Sequence, residues 1–529
     1  MKKNCIFLLL DSVTFDAINS KKTSSILFPN LYYLATKFNF KKCISNSNCT
    51  QFVLPSLFSM SMPLDEGGYD YGIKYRKLAF MEILQNEEYK TLIFSNCNQM
   101  GADNGYDRGA SENINSFDYR LILEQKLNRV ILSKYNKDID KPNRDEELLI
   151  GYKKLIGEIK KKIDEADTTI WNKKLKKINL GLCQKINEEI KLIEREPEVI
   201  KKKLLTINPA SIWLFLGNDK LKSMGFYIKR IFGSISWRLK YYISKSKLPV
   251  TFLGHITINI IDSFSVFKKK ISELEKPYFV YHHIMDLHDY ENFNSFSSFF
   301  KKILNYPKWF KNTRNLKRKR KFLYDSTLML VDNYIGKILQ ILDSNTLLFI
   351  TSDHGHRKSL KKQISRSYLT SDYFNEMHGE DIEVPLISNI NLTEKDKSDD
   401  YLFDSILVSK KIISELDIDL HKYFKAKDDN KEYIISEHAG RGNFNLYKDL
   451  YFTISSLEFR MVVAFIGSEL FIKFYNINKD VDETNDISKD QNYSEKMKEM
   501  FNYLKTNRRE ILSEKLNMLK KVNNQFIQI

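Results

Sequence analysis

Leu347-Leu348-Phe349-Ile350-Thr351-Ser352-Asp353-His354-Gly355 is the stretch on which the reading of this chain turns. A short apolar run rich in β-branched and aromatic residues reads as a buried strand. It delivers an adjacent carboxylate and imidazole, and a glycine then permits a tight turn. Carboxylate oxygen together with imidazole nitrogen suits a zinc- or manganese-like ion. Taken alone, Asp353 could equally cap a turn and His354 lie on the surface. Other runs of the same kind surround it: Cys5–Leu10, Thr91–Phe94, Tyr278–Met285 and Val384–Ile387. Most of the runs end beside polar chemistry, at Asp11, Asn96, Asp286 with His288, and Asp353 with His354. Helix-like stretches such as Tyr75–Asn86 lie between some of them. This alternation predicts a doubly wound, mostly parallel α/β sheet with helices on both faces, with these runs among its parallel strands. In such sheets the site lies at the carboxyl ends of the strands, so one end of one sheet is expected to gather these residues.

The 529 residues correspond to about two to four domains. A hydrophobic content of 42%, with 13% aromatic, is enough for a sizeable core and excludes a wholly disordered chain. The formal net charge of +17 points to anionic partners: phosphates, nucleic acid or acidic lipid headgroups. Five cysteines and no C-x-x-C pair argue against a disulfide framework and against a zinc knuckle. Met1-Lys2-Lys3 and the apolar run after it resemble a signal peptide, but the run is short, stops at Asp11 and has no small-residue cleavage site behind it. No stretch reaches the roughly 18 apolar residues of a spanning helix. The expected location is the cytoplasm, with peripheral contact at the inner face of the membrane.

Four regions are expected. Residues 1–119 form the first part of the catalytic α/β domain and 256–390 the second part. Between them, 120–255 is an insertion: Lys, Glu, Ile and Leu at helical spacing up to about 206, then a basic and aromatic segment. Residues 207–255 interleave Trp213, Phe215, Trp237 and other aromatics with eight Lys or Arg and one acid, Asp219. Such a segment either lies on an anionic membrane face or packs as scaffold. Residues 391–529 form a small C-terminal α+β subdomain, with strands at Tyr451–Ser455, Arg460–Ile466 and Leu470–Tyr475 and a helical tail from Tyr493.

A second signal is Ser47-Asn48-Cys49-Thr50-Gln51-Phe52-Val53-Leu54-Pro55-Ser56-Leu57-Phe58-Ser59. A helix is expected to start at Pro55, a favoured first helical position. A threonine hydroxyl ahead of a helix N-terminus is either a cap or a metal-activated nucleophile. His282 and His283, inside an apolar run, read as packed or supporting residues rather than ligands. The role of His356 is open, and His255 and His421 read as structural. Glu437-His438-Ala439-Gly440-Arg441-Gly442 is either a loop over the substrate or a plain connection.

Together these residues resemble the sulfatase-like part of the alkaline phosphatase superfamily. Phe7–Ser12 resembles the family's first strand with its metal carboxylate, and Pro29–Ala35 its "PNLDRLA" helix. Phe279–His288 is similar to its "hLxDPH" strand and Thr351–Gly355 to "TSDHG". His378-Gly379 with Val384–Ile387 resembles "HG…VPLI", and Tyr475–Asp486 resembles the C-terminal "LYDLxxDPxETxNL". Formylglycine sulfatases carry C-x-P-x-R. Here Cys49 is followed by Thr50-Gln51-Phe52, and Thr50–Ser59 is instead similar to the "TxxSVPCMFS" of phosphoethanolamine transferases, whose threonine is the nucleophile. Those transferases carry an N-terminal membrane-spanning domain, whereas this sequence starts at the first catalytic strand.

The resemblance implies one divalent metal, zinc before manganese or calcium, held by Asp11, Thr50, Asp353 and His354. It implies Thr50 as nucleophile through a phospho-threonine, with His288 and His378 protonating the leaving group or orienting the substrate. The implied activity is transfer of a phosphoethanolamine- or phosphoglycerol-type group from a phosphodiester to a glycan or lipid-linked glycan. Hydrolysis of a sulfate or phosphate ester by a sulfatase or phosphodiesterase is the alternative. Binding of nucleic acid through the basic charge is a further reading, against which no RNA- or DNA-binding module is found.

Overall fold

The computed structural model describes residues 2–97, 99–100, 104–115, 127, 131, 135, 141–165, 173–206, 260–288, 290, 296–313, 319–356, 376–390, 402–423, 432–439 and 449–521. The basic and aromatic segment 207–255, His255 and the loop positions 440–442 lie outside these residues. An eight-stranded sheet forms the centre, in the order β4-β3-β5-β1-β6-β7-β2-β8. Its strands are β1 (Asn4–Leu10), β2 (Asn39–Ile44), β3 (Lys90–Ser95), β4 (Glu112–Asn115), β5 (Tyr278–Ile284), β6 (Thr346–Ser352), β7 (Glu383–Ser388) and β8 (Phe403–Asp404). From β4 to β6 every pairing is parallel.

Alternation along β1 shows why the sheet must be covered on both faces. Ile6, Leu8 and Leu10 belong to one apolar cluster, with Leu31, Leu34, Tyr334 and Ile338. Cys5, Phe7 and Leu9 belong to another, with Leu57, Phe58 and Ile412. A strand with no polar face is stable only between two layers of helices, which is the doubly wound arrangement. Helices Arg144–Glu165, Lys173–Arg195 and Pro197–Thr206 occupy the insertion, and their Tyr152, Ile156, Ile186 and Leu204 join the first cluster. A second sheet, β12-β11-β10-β9, is antiparallel throughout: β9 (Ile434–His438), β10 (Asp449–Ser455), β11 (Phe459–Ile466) and β12 (Glu469–Asn476). Helices Ser494–Asn507 and Arg509–Lys521 supply Met500, Phe501, Leu504 and Leu512 to its core. Among the described residues no helix is long and apolar enough to cross a membrane.

Three local expectations are corrected. β7 is antiparallel to both β6 and β2. The chain returns beside the end of β6, where Gly355 N donates to Asp381 O at 2.7 Å, so β7 starts at the site end of the sheet and must run away from it. The helix expected from Pro55 begins at Thr50, and Pro55 lies inside it. Cys49 is extended (φ −152°) and its carbonyl already accepts from Phe52 N and Val53 N at 2.8 and 3.0 Å, which starts the helix five residues early. The helix expected over 75–86 is confined to Phe80–Asn86. The Arg76 guanidinium is buried in a cage of carbonyls from Met62, Pro63 and Gly68, and 74–79 is non-helical.

Candidate active site

The carboxyl ends of β3, β5, β1 and β6 are stitched together by short polar contacts. Asp11 N donates to Ile284 O at 3.0 Å. Met285 N donates to Asn96 Oδ1 at 3.0 Å, and Ser12 N donates to Asp353 Oδ1 at 3.2 Å. Ser12 itself takes φ +61°, an uncommon conformation for a residue with a Cβ. It is held there by its hydroxyl on Asp11 Oδ1 at 2.5 Å and by Tyr324 Oη donating to its carbonyl at 2.8 Å. These bonds turn the chain immediately after β1 and leave Asp11 facing Asp353.

Thr50 closes the constellation. Its Oγ1 donates to Asp11 Oδ2 at 2.9 Å and lies 3.3 Å from His354 Nε2. His354 Nδ1 is 2.7 Å from the carbonyl of Gly355. A carbonyl only accepts, so Nδ1 carries the proton, and the Nε2 of a neutral ring presents its lone pair to Thr50. The single hydroxyl proton of Thr50 can serve Asp11 or His354, but not both. Asp11, Thr50, Asp353 and His354 thus come together, all buried.

Sequence reasoning missed His283. Its ring is buried and its Nε2 is 3.8 Å from Asp11 Oδ2. One ligand atom from each of Asp11, His283 and Asp353 lies within 4.8 Å of the others. Tyr281 Oη, 3.0 Å from Nδ1, fixes the ring from behind. Because every residue of β5 is buried, alternation singles out no functional face. The available signal was position, since His283 stands at the carboxyl end of a strand next to β1. His282 points the other way, to Phe94 O at 2.9 Å and Tyr334 Oη at 2.8 Å, and burial pushes its pKa down to about 3, so it is a neutral packing residue.

The electrostatics of the cluster call for a cation. Burial raises the Asp353 pKa, and the neighbouring Asp11 charge adds to the rise. Burial would also raise Asp11, but His283, His288 and His354 together bring it below the ordinary carboxylate range. Burial opposes a charge on His283, yet its neighbours Cys97, Asp11 and Asp353 lift it to about 10. Among the described residues Asp353 Oδ2 and His283 Nε2 find no hydrogen-bond partner although both are buried. Orphaned buried polar atoms of this kind are costly unless an ion satisfies them. The donor set of carboxylate, imidazole and hydroxyl fits a divalent metal.

The other expected residues stand apart from this cluster. His288 is exposed just beyond the turn Met285–Leu287 and is felt electrostatically by Asp11. His378 is buried with its Nδ1 2.6 Å from Glu483 Oε2 and its Nε2 3.1 Å from Glu376 Oε2. It caps the turn Gly379–Ile382 against which Gly355 packs. His356 stacks on Tyr324 with ring centroids 5.2 Å apart. His438 lies between Phe52 and Tyr451 in the core of the second sheet, and His421 is exposed.

The family model described as Sulfatase matches residues 221–418. Among solved structures, a 2-O GAG sulfatase superposes with a TM-score of 0.52 at 11% identity, covering 97% of this chain and 93% of that one. The sulfatase-like protein yidJ from Bacteroides fragilis gives 0.50 at 13% identity, covering 100% and 97%. A phosphonate monoester hydrolase of Agrobacterium radiobacter gives 0.48 at 11% identity, covering 97% and 96%. No curated protein matches the chain. The chain thus shares its overall fold with these sulfatases, and its own metal-type cluster lies at the carboxyl end of a mostly parallel sheet. Residues 221–418 match the sulfatase family, and the fold as a whole is similar to that of solved sulfatases.

Proposed function

We propose that the protein cleaves a phosphate ester, preferentially a phosphodiester, with Thr50 as nucleophile. The observation that carries this is the seat of the Thr50 hydroxyl, 2.9 Å from Asp11 Oδ2 and 3.3 Å from His354 Nε2, at the first residue of its helix. Cys49, the residue before it, is only the helix cap, and no Pro or Arg follows in the C-x-P-x-R pattern of formylglycine sulfatases. Asp11, Asp353 and His354, with Thr50, would hold the metal, and zinc suits their mix of oxygen and nitrogen donors. When bound, the ion would lower the pKa of the Thr50 hydroxyl and offset charge on the ester oxygens.

Thr50 gives its hydroxyl proton to solvent water, its Oγ bonds to phosphorus, and the bond from phosphorus to the leaving oxygen breaks. His288, on the solvent side, returns a proton to the leaving alkoxide. Water then cleaves the phospho-threonine and releases phosphate or a phosphomonoester. His378, set between two carboxylates, positions the turn behind Gly355. A second reading is favoured by the transferase-like pattern of Thr50–Ser59: a sugar or lipid hydroxyl replaces water as acceptor.

The test is turnover of bis-p-nitrophenyl phosphate and of p-nitrophenyl sulfate by wild type, Thr50→Ala and Cys49→Ala, with intact mass after a rapid quench. Expected are faster turnover of the phosphodiester, a phosphoryl adduct on wild type, a loss of at least about a thousandfold in Thr50→Ala, and measurable activity in Cys49→Ala. Activity confined to the sulfate and lost in Cys49→Ala would overturn the proposal. Product analysis with added alcohols separates transfer from hydrolysis.

A further inference from the structure

Helices Phe296–Leu304 and Tyr306–Thr313 lie beside the long helix Lys319–Leu339. They are anchored by Trp309, which is buried and donates its indole N–H to Asp325 Oδ2 at 2.8 Å. Their other side is unusual. Phe300, Ile303, Leu304, Tyr306 and Phe310 are all exposed, Leu304 to 75%. Tyr306 and Phe310 stack on each other with ring centroids 5.9 Å apart. One exposed leucine needs no explanation, but five large apolar side chains on two consecutive short helices do. Lys308 and Lys311 are exposed among them, as is Lys301, which pairs with Asp262 at 2.6 Å. From Phe296 to Tyr324 the sequence has ten Lys or Arg and no Asp or Glu.

We infer that this helix pair is a docking surface for an anionic phospholipid membrane. The five apolar side chains enter the boundary between headgroups and acyl chains, and the lysines sit among the headgroup phosphates. An apolar strip flanked by basic residues is the pattern of helices that lie in the interface plane. Charge selects this occupant: a second copy would set one basic face against another. The surface also adjoins the site. Lys302 turns inward and donates to Tyr290 O at 2.9 Å, and the Tyr290 ring is 5.2 Å from His356 and 5.7 Å from Tyr324. Tyr324 in turn donates to the carbonyl of Ser12, next to Asp11. A molecule seated on these helices therefore has the rim of the catalytic cluster beside the headgroup plane, within reach of a lipid-borne ester. The docking itself does not depend on which ester is cleaved.

The experiment is co-sedimentation of the full chain with phosphatidylcholine vesicles, with and without phosphatidylglycerol, at low and at physiological salt. Wild type is expected to bind only the vesicles containing phosphatidylglycerol, and less at higher salt. The combined change Phe300→Ser, Leu304→Ser and Phe310→Ser should lower apparent affinity at least tenfold, and Lys308→Glu with Lys311→Glu should do the same, at unchanged thermal melting. If the triple variant fails to fold, Leu304→Ser alone, at the most exposed position, should still lower affinity severalfold. Wild type and Leu304→Ser binding the charged vesicles equally well would move the contact elsewhere on the chain and overturn the inference. So would no binding at all. A concentration-dependent dimer in sedimentation equilibrium that Leu304→Ser abolishes would assign the face to a second copy and equally overturn it.

Discussion

At the scale of single residues, the site depends on side chains whose neighbours leave them no alternative partner. Asp353 keeps Oδ1 for Ser12 N and its own His354 N–H at 2.8 Å, which leaves Oδ2 for the centre of the cluster. His283 is in the same position, with Tyr281 at its Nδ1 and Nε2 turned inward. Its placement argues for a part in holding the metal. His283→Gln is expected to weaken metal binding by about ten- to a hundredfold, the range seen when groups around a metal site are removed. The measurement is metal content after dialysis against graded competitor, together with the visible absorption of the cobalt-substituted protein. Unchanged affinity and spectrum would reduce His283 to packing. Asp353-His354-Gly355 was legible because its chemistry stands at the end of an apolar run. His283 was not, because its apolar run is buried on both faces and a histidine inside it looks like any packed residue.

At the scale of elements, the turn leading into β7 is tied to the second sheet by a buried ionic network. Arg460 of β11 donates Nη2 to Glu383 Oε1 at 2.7 Å and Nη1 to Glu483. Glu483 also accepts from Gly379 N at 2.7 Å and meets His378, and Lys473 of β12 reaches Glu376 at 2.6 Å. Burial works against both glutamates, but Arg460 and His378 hold Glu483 well below the carboxylate range, and His378 and Lys473 hold Glu376 near 2. A carboxylate whose folded pKa is depressed contributes stability above its unfolded pKa and loses it as pH falls through the folded value. Stability should therefore be constant above about pH 5 and fall steadily below it, each group being worth on the order of 2 kcal/mol. Glu483→Gln should flatten that acid limb and cost about 3–5 kcal/mol at neutral pH, because it leaves Arg460 buried and half-paired. Denaturant melts from pH 3 to 8 check both statements. An acid limb of equal slope in the variant would place the acid sensitivity elsewhere. The sequence showed the His378-Gly379 and Val384–Ile387 segments but not this network, whose members are brought together from residues 376–383 and 460–483 only by the fold.

At the scale of the whole molecule, two buried carboxylates facing each other at the end of the central sheet are a repulsive element within an otherwise apolar frame. A bound divalent ion relieves that repulsion in the folded state only, so ligand linkage raises stability by roughly 4 kcal/mol at a thousandfold excess over Kd. Chelation is expected to lower the melting temperature by several degrees, and restoring zinc to recover it, as followed by calorimetry. Asp353→Asn should raise the melting temperature of the metal-free protein and remove its response to zinc. A metal-free protein that melts with the untreated one would show that the cluster carries no ion. The same scale explains the tail: Arg508 pairs with the buried Glu437 at 2.6 Å and with Asp65 at 2.8 Å, joining the helix Arg509–Lys521 to the second sheet and to the loop after the nucleophile helix.

The sequence by itself determined the class of fold and which ligand-type residues stand at its carboxyl end. Apolar runs too continuous for a one-sided strand require helices on both faces, and Asp11, Asp353 and His354 at their ends must meet at the carboxyl end of the sheet. The direction of β7, the start of the Thr50–Ser59 helix at Thr50 rather than Pro55, the turn of His283 toward Asp11 and the capture of His378 by Glu376 and Glu483 were decided only by tertiary structure. Each depends on groups far apart in the chain, such as Gly355 with Asp381, Leu9 with His283 or His378 with Glu483. Periodicity and local propensity report on a residue's own segment and carry no information about which distant backbone or charge will stand opposite it.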